Sequence, residues 1–511
     1  MKLHHLVGVS RSVAATRSRN AKRDALAEAI RAMAPAERAV GVAYLSGSLP
    51  QGRVGVGPAA LQDSANVPAS AAPTVSLTEV DEAIERVRNA AGPGSAAVKR
   101  DTLRGLFGRC VPEEQLFLVR LLVGEVRQGA LDGVMVEAIA LASGCSAAYV
   151  RHAHMLQGNL PRVADVAMTA GEPGLRRIRL SVGTPVQSML AQTATEVGEA
   201  VAAMPSALLD TKMDGARVQV HKSGGDVAVF SRQHNDVSAS VPEVVEAVAA
   251  MPASDLVLDG EVVAFDGNGR PLPFQTTMRR FGRRQNVGAL RRDLPVQPYF
   301  FDCLHADGED AIGSPLTERI GLLDAFVPAA LHMPRTLTSD SAAARDFLQA
   351  ALEAGHEGVM VKDPASAYAA GSRGKAWLKV KPAHTLELVV LAAEWGHGRR
   401  QGWLSNLHLG ARDPDGGGFV MLGKTFKGLT DEMLDWQTRA LLDLEVSRDR
   451  YAVHVEPRLV VEILCNEVQT SPHYPAGLAL RFARVKRYRP DKSATAADTL
   501  DAVRALHTGP S

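Results

Sequence analysis

The strongest constraint on the fold is a change of hydrophobic period near residue 175. Before it, apolar residues recur at helical spacing, as in Leu116, Val119, Leu122, Val123 and Val126. After it they form short runs, as in Arg217-Val218-Gln219-Val220-His221 and Val227-Ala228-Val229-Phe230, which read as two strands joined at Gly224-Gly225. A chain of 511 residues is also too long for one core, so about three domains are expected.

In the helical part, Pro112-Glu113-Glu114 opens a helix with proline and acids in the first turn. A second helix from Leu131 should stop at Gly144. Residues 67–74 read as a surface connection, and Gly171-Glu172-Pro173-Gly174 as the first domain boundary. A mixed domain follows, with Leu256-Val257-Leu258 and Val359-Met360-Val361 as buried strands and a helix over 240–251. Beyond it, Leu386-Glu387-Leu388-Val389-Val390-Leu391 and Leu459-Val460-Val461-Glu462-Ile463-Leu464 read as strands. With a turn at Gly416-Gly417-Gly418 and a helix near 432–444, they predict a small five-stranded barrel. The expected division is an all-α domain over 1–174, an α+β domain over 175–382 and a β-barrel over 383–511.

Hydrophobic content of 46% and charged content of 22% fit a soluble globular protein. No apolar run approaches the roughly 20 residues of a membrane span. The start, Met1-Lys2-Leu3-His4-His5, passes into an Ala/Arg-rich helical pattern unlike a signal peptide, so a cytoplasmic location without a membrane is expected. Cys110, Cys145, Cys303 and Cys465 are widely spaced, which argues against a zinc ribbon or disulfide framework. The net charge of +1 does not advertise a nucleic-acid binder. Basic residues nevertheless gather at Arg17, Arg19, Lys22 and Arg23, at Arg279, Arg280, Arg283, Arg284, Arg291 and Arg292, and at Arg481, Arg484, Lys486, Arg487 and Arg489. Each is by itself an ordinary solvated face; together they could line one anionic partner.

Lys212-Met213-Asp214-Gly215, with Arg217, places a lysine in a Lys-x-Asp-Gly-x-Arg frame between strand-like runs. An unprotonated amine can attack a phosphoanhydride and form a phosphoramidate. Asp-Gly is also the commonest hairpin turn, so these residues alone decide nothing. The order of further blocks does. Downstream stand Ser231-Arg232, Asp259-Gly260-Glu261, Phe300-Phe301-Asp302, Glu357-Gly358-Val359-Met360-Val361-Lys362, Trp377-Leu378-Lys379-Val380-Lys381 and Arg487-Tyr488-Arg489-Pro490-Asp491-Lys492. In this series the chain resembles the ATP-dependent DNA ligases of the lysine-adenylating nucleotidyltransferase superfamily. The resemblance extends to the helical part, in Tyr44-Leu45-Ser46-Gly47, Leu49-Pro50-Gln51-Gly52 and Gly92-Pro93-Gly94-Ser95 ahead of Lys99, a region that capping enzymes lack.

The resemblance implies a helical DNA-binding domain, an adenylation domain and an OB-fold domain, in a monomer that encircles nicked duplex DNA. ATP is the substrate and forms lysyl-AMP on Lys212, with Mg2+ or Mn2+ as the metal. Lys212 must first lose its proton, although a free lysine has a pKa of about 10.4. Lys379, Lys381 and the metal would favour the neutral amine and offset charge on the α-phosphate. Glu261 would hold the ribose hydroxyls and, with Glu357, the metal; Phe301 would stack on adenine. Arg217, Arg232 and Arg373 would contact the nucleotide or the 5′-phosphate at the nick. Arg487, Arg489, Asp491 and Lys492 would close over ATP and orient the departing pyrophosphate. Asp210 stands where many ligases have glutamate, and its shorter side chain bears on the contact to the adenine amino group.

Each residue also has a plainer reading. Lys379 and Lys381 share one side of a strand, Phe301 suits a buried strand, and the arginines suit surface ion pairs. Glu261 suits a surface acid, and Glu357 an ion pair with Lys362 or a neighbour. The rival functions are an mRNA-capping-type guanylyltransferase and a nick-binding scaffold without catalysis.

Overall fold

The computed structural model describes every residue except 53, 127, 129–131, 282–286, 371–373, 382–383 and 508–511. It divides into two compact units: Met1–Thr193 with Ala200–Ala344 and Met360–Leu378, and Ala194–Glu199 with Arg345–Val359 and Lys379–Ser511.

The first unit opens with helices from Leu3–Ala15 to Leu160–Arg176, packed around Leu3, Leu6, Leu26, Ile30, Tyr44, Leu103 and Phe107. Pro112–Leu122 is a helix with proline in its first turn, and the Glu114 carboxylate accepts the Val111 N–H at 2.9 Å. That bond satisfies one of the donors a helix start leaves unpaired. Asp132–Ser143 is the next helix, with Gly144 left-handed behind it at φ 71°; Leu131 lies outside the described residues. Residues 67–74 carry no helix or strand. The stretch Gly171 to Gly174 carries a kink in the helical segment Leu160–Arg176, at Gly171 with φ 60° and ψ −156°. Glycine alone takes that backbone without strain, and the break accommodates Pro173, which has no N–H for the helical ladder.

Two sheets follow. One has the antiparallel order Asp226–Ser231, Ala216–Ser223, Asp255–Ala264, Val296–Ala306, Glu309–Asp310. Its first pair turns at Gly224-Gly225, with Ser223 opposite Asp226. The helix expected over 240–251 is Pro242–Ala249, preceded by a 3-10 turn at Ser238–Ser240. The other sheet has the order Gln192–Ala194, Trp377–Val380, Gly358–Lys362, Ala207–Lys212, Arg335–Thr338.

The strands on either side of residues 213–215 therefore belong to different sheets, and Asp214-Gly215 is not a hairpin turn. Gly215 is needed for a steric reason. A Cβ there would lie 2.4 Å from the Val262 carbonyl oxygen and 2.7 Å from Val263 Cγ2. Asp214 anchors the crossing by accepting the Phe274 N–H at 3.2 Å, at the start of helix Phe274–Phe281. Behind the sheets, Arg319 and Asp302 form a fully buried fork of 2.7 and 3.0 Å. Arg319 also donates to the carbonyls of Ser314 and Ser366.

The second unit is built on a seven-stranded sheet in place of the five strands expected. The cause is the length of strand His384–Trp395. Its first half pairs with Val460–Cys465, and its last residues pair with Ala452–Val455 and with Leu404–Asp413. Gly418–Thr425, Glu445–Arg448 and Arg484–Tyr488 complete the sheet. Helix Asp431–Asp443 covers a core that includes Leu388, Val390, Leu407, Leu409, Leu434, Val461 and Ile463. Among the described residues no helix is long and apolar enough to cross a membrane, and all four cysteines are buried and unpaired.

Removing one partner of a buried pair leaves the other charge uncompensated. Arg319→Met should therefore lower the unfolding free energy by about 3–5 kcal/mol, read by urea denaturation. A loss below about 1 kcal/mol would show that Asp302 finds another partner.

Candidate active site

Strand Ala207–Lys212 is buried up to Thr211 and ends at half-buried Lys212. Strand alternation puts Asp210 on the same face as Lys212. Asp210 is 2% exposed and ion-paired with Lys362, itself 1% exposed. Burial raises the Asp210 carboxyl above its ordinary range, although the charges of Lys362 and Arg335 oppose the shift. The Lys362 ammonium also donates to the Phe301 carbonyl at 3.4 Å. It sits 4.5 Å from the centre of the Phe301 ring and 4.3 Å from that of Trp377, and the two rings meet edge to face at 6.0 Å. A desolvated cation over aromatic faces gains from the ring quadrupoles. Phe300 and Phe301 face opposite layers: Phe300 joins Val218, Leu258 and Cys303, while Phe301 joins Met213, Tyr368 and Trp377.

Arg217 stands opposite Glu261 on the neighbouring strand. Its guanidinium forks onto Asp259 at 3.0 and 2.6 Å, and Nη1 donates to the Met189 carbonyl at 2.7 Å. The Tyr368 hydroxyl donates to Asp259 at 2.7 Å and accepts from Arg217 and from the Met189 N–H. Burial disfavours the Arg217 charge, but Asp259, Tyr368 and Glu261 outweigh it and the net shift is upward. Burial, reinforced by Asp259, holds the Tyr368 hydroxyl un-ionised. Gly260 lets the Phe300 ring approach, since a Cβ there would lie 2.8 Å from it. Sequence reasoning missed Asp259, Tyr368 and Lys362 as site residues. Asp259 and Lys362 stand inside the ordered blocks, whose letters carry no sign of their partners.

Asp210 and Lys212 are thus carried by a strand of one sheet, and Arg217, Glu261 and Phe301 by three adjoining strands of the other, all in the first unit. Arg232 is exposed in the turn after strand Asp226–Ser231, and Arg373 lies outside the described residues. Lys379, Lys381 and Glu357 belong to the second unit. There Lys381 forms an ion pair with Glu357. Gly358, at φ 145°, allows this proximity, because a Cβ there would be 2.2 Å from the Val380 carbonyl oxygen. Arg487 pairs with Glu462, Arg489 with Asp491 and Glu387, and Lys492 with Glu387. The expected basic surface from Arg279 to Arg292 is not one exposed cluster. Arg280 is buried on Glu243 at 2.7 and 2.9 Å, Arg291 pairs with Glu246, and Arg283 and Arg284 lie outside the described residues.

A buried histidine pins the segment leading into these strands. His221 Nδ1 accepts the Gly183 N–H at 2.9 Å, which leaves Nε2 to donate to Gln219 Oε1 at 2.9 Å. Gln219 Oε1 also accepts the Val186 N–H at 2.7 Å. The hydrogen-bond pattern therefore selects the neutral ring, and burial, with His305 and His234 nearby, lowers its pKa to about 4.

The comparisons with known proteins assign this multidomain fold to a class of nucleotide-dependent enzymes. Residues 188–381 match the ATP dependent DNA ligase domain, 400–492 the ATP dependent DNA ligase C terminal region and 59–140 the DNA ligase N terminus. A protein of Anaeromyxobacter sp. (strain Fw109-5) named "Probable DNA ligase" is 55% identical over 509 residues, covering 99% of this chain and 98% of its own. One of Rhodococcus jostii (strain RHA1) with the same name is 51% identical over all of both chains. The solved structure Pmar-Lig_PreS3 shares the fold with a TM-score of 0.61 at 19% identity, covering 95% of this chain and 99% of its own. The chain belongs to the ATP-dependent DNA ligase family.

Because the folded pKa of His221 lies below that of a free histidine, the unfolded chain binds the extra proton first. Stability should fall as pH drops from about 6.5 toward 4, by up to about 3 kcal/mol from this group. His221→Asn should flatten that part of the stability–pH curve in chemical denaturation. An unchanged slope would remove His221 from the account.

Proposed function

We propose that this DNA ligase seals nicks in duplex DNA through an adenylate carried on Lys212. The amine attacks the α-phosphorus of ATP, a P–N bond forms and pyrophosphate leaves. The 5′-phosphate at the nick then takes the AMP, and the 3′-hydroxyl displaces AMP to close the strand. The observation that carries this reading is the placement of Lys212 at the end of a buried strand, on the face of Asp210. Lys362 connects that carboxylate to the Phe301 ring.

Phe301 is the stacking ring for adenine in this reading. Asp210 Oδ1 accepts no hydrogen bond among the described residues, and a buried acceptor calls for a donor; the adenine amino group supplies one. Glu261 receives the ribose hydroxyls. Arg217, held by Asp259 and Tyr368, contacts the phosphates in this reading, with Arg232 and Arg373. Lys379 and Lys381 attend the α-phosphate, and Arg487, Arg489, Asp491 and Lys492 attend the departing pyrophosphate. The oxygen donors of Glu261 and Glu357 suit Mg2+, or Mn2+ in its place. Such an ion, when bound, supplies Lewis-acid stabilisation of phosphoryl oxygens. Residues 1–174 act as the DNA-binding domain, 175–382 as the adenylation domain and 383–511 as an OB-fold domain of a monomer that encircles its DNA in the cytoplasm. The ATP dependent DNA ligase match over 188–381 and the DNA ligase match over 59–140 favour this over a capping enzyme.

Intact-mass measurement should show one AMP gained on incubation with ATP and Mg2+, then lost on addition of nicked DNA. Lys212→Ala should gain none; an adduct retained in that variant would refute the nucleophile. DNA binding should weaken steeply with salt and show little sequence preference, so a flat salt dependence would sink the proposed phosphate contacts.

A further inference from the structure

Strands His384–Trp395 and Val460–Cys465 run antiparallel with Glu387 directly opposite Glu462. Like charges directly opposite on a sheet repel, and these carboxylates are largely buried, at 16% and 6% side-chain exposure. One short downstream segment supplies their counter-charge. Lys486, at 2.7 Å, and Arg487 both pair with Glu462. Arg489 and Lys492 both pair with Glu387, and Arg489 also forks onto Asp491 at 2.9 and 2.6 Å. Arg487, Arg489 and Lys492 are the cations assigned above to the phosphates of ATP. The same three groups thus serve two anions, one built into the sheet and one arriving with the substrate.

We propose that Glu387 and Glu462 are positioning residues of the adenylation step: they hold the basic segment 486–492 against the sheet, and a triphosphate must displace them to engage it. This rests on the reading of that segment as the pyrophosphate-orienting element. The backbone keeps the segment in place without the carboxylates. Strand Arg484–Tyr488 pairs with Val460–Cys465, and the Arg489 N–H donates to the Val460 carbonyl at 2.9 Å. Neutralising Glu387 therefore releases Lys492 and leaves Arg489 with Asp491 alone, and both cations stay presented. The side chains of Lys486 and Arg487 are 47% and 62% exposed, so their ion pairs with Glu462 are weak, solvent-screened competitors that a polyanion can replace; Arg489 and Lys492, at 18% and 34% exposure, hold Glu387 in less exposed pairs.

The test uses full-length protein carrying Glu387→Gln, with inorganic triphosphate as a binding probe in calorimetry and ATP in an adduct-formation assay read by mass. Triphosphate should bind roughly 3–10-fold tighter than to the unaltered protein, and KM for ATP should fall by a similar factor while kcat for adduct formation holds. Glu387→Asp, which keeps the charge, should stay near the unaltered protein. Unchanged or weaker triphosphate binding in Glu387→Gln overturns the proposal. If that variant melts early, Glu462→Gln must show the same tightening, and failure there overturns it equally. Tighter triphosphate binding without any AMP adduct on the unaltered protein would leave the two glutamates their role and bring down the lysyl-AMP reading instead.

Discussion

Two sheets can exchange the chain between Lys212 and Ala216 only because residue 215 has no side chain. The nearest atom to a Cβ there is the Val262 carbonyl oxygen at 2.4 Å, a main-chain group that belongs to a paired strand and cannot step aside. With that approach permitted, Lys212 ends one sheet and Arg217 sits in the other, opposite Glu261. Asp214 fixes the crossing through Phe274. Lys212, Arg217, Glu261 and Phe301 are therefore mounted on strands and not on a loop, which suits chemistry that depends on placing an amine within a narrow range of positions.

Charge is organised around this crossing in buried pairs. Asp210–Lys362, Arg217–Asp259 and Arg319–Asp302 each remove an acid and a base from water together. Desolvation makes such pairs poor sources of net stability, yet breaking one is costly. Their value here is geometric: Lys362 connects Asp210 to Phe301, and Tyr368 connects Asp259 to Met189. In the second unit Glu462 shows the opposite design, a buried glutamate under the exposed cations Lys486 and Arg487, where exchange of partners costs little.

What the sequence reveals follows the range of the interactions involved. The switch near residue 175, the hairpin at Gly224-Gly225 and the helix opening at Pro112 are readable because each depends on neighbours within a few residues. The kink at Gly171 marks the reach of the same rule, since Gly and Pro signal a break but not whether helix resumes after it. The seven-stranded sheet is not readable, because it depends on one long strand sharing its edge between two distant partners. Site residues are legible as letters in ordered blocks, whereas Glu357 with Lys381, and Lys362 with Asp210, are pairings that only folding reveals. Arg280 shows the cost of reading charge runs as surfaces, since its side chain is buried on Glu243.

The account turns on which amine carries the adenylate. Protein quenched after brief exposure to ATP and Mg2+, digested under alkaline conditions that preserve phosphoramidates and sequenced by tandem mass spectrometry, would locate the group directly. The prediction is a single AMP on Lys212. An AMP found on Lys222, Lys362 or any other side chain would contradict the mechanism.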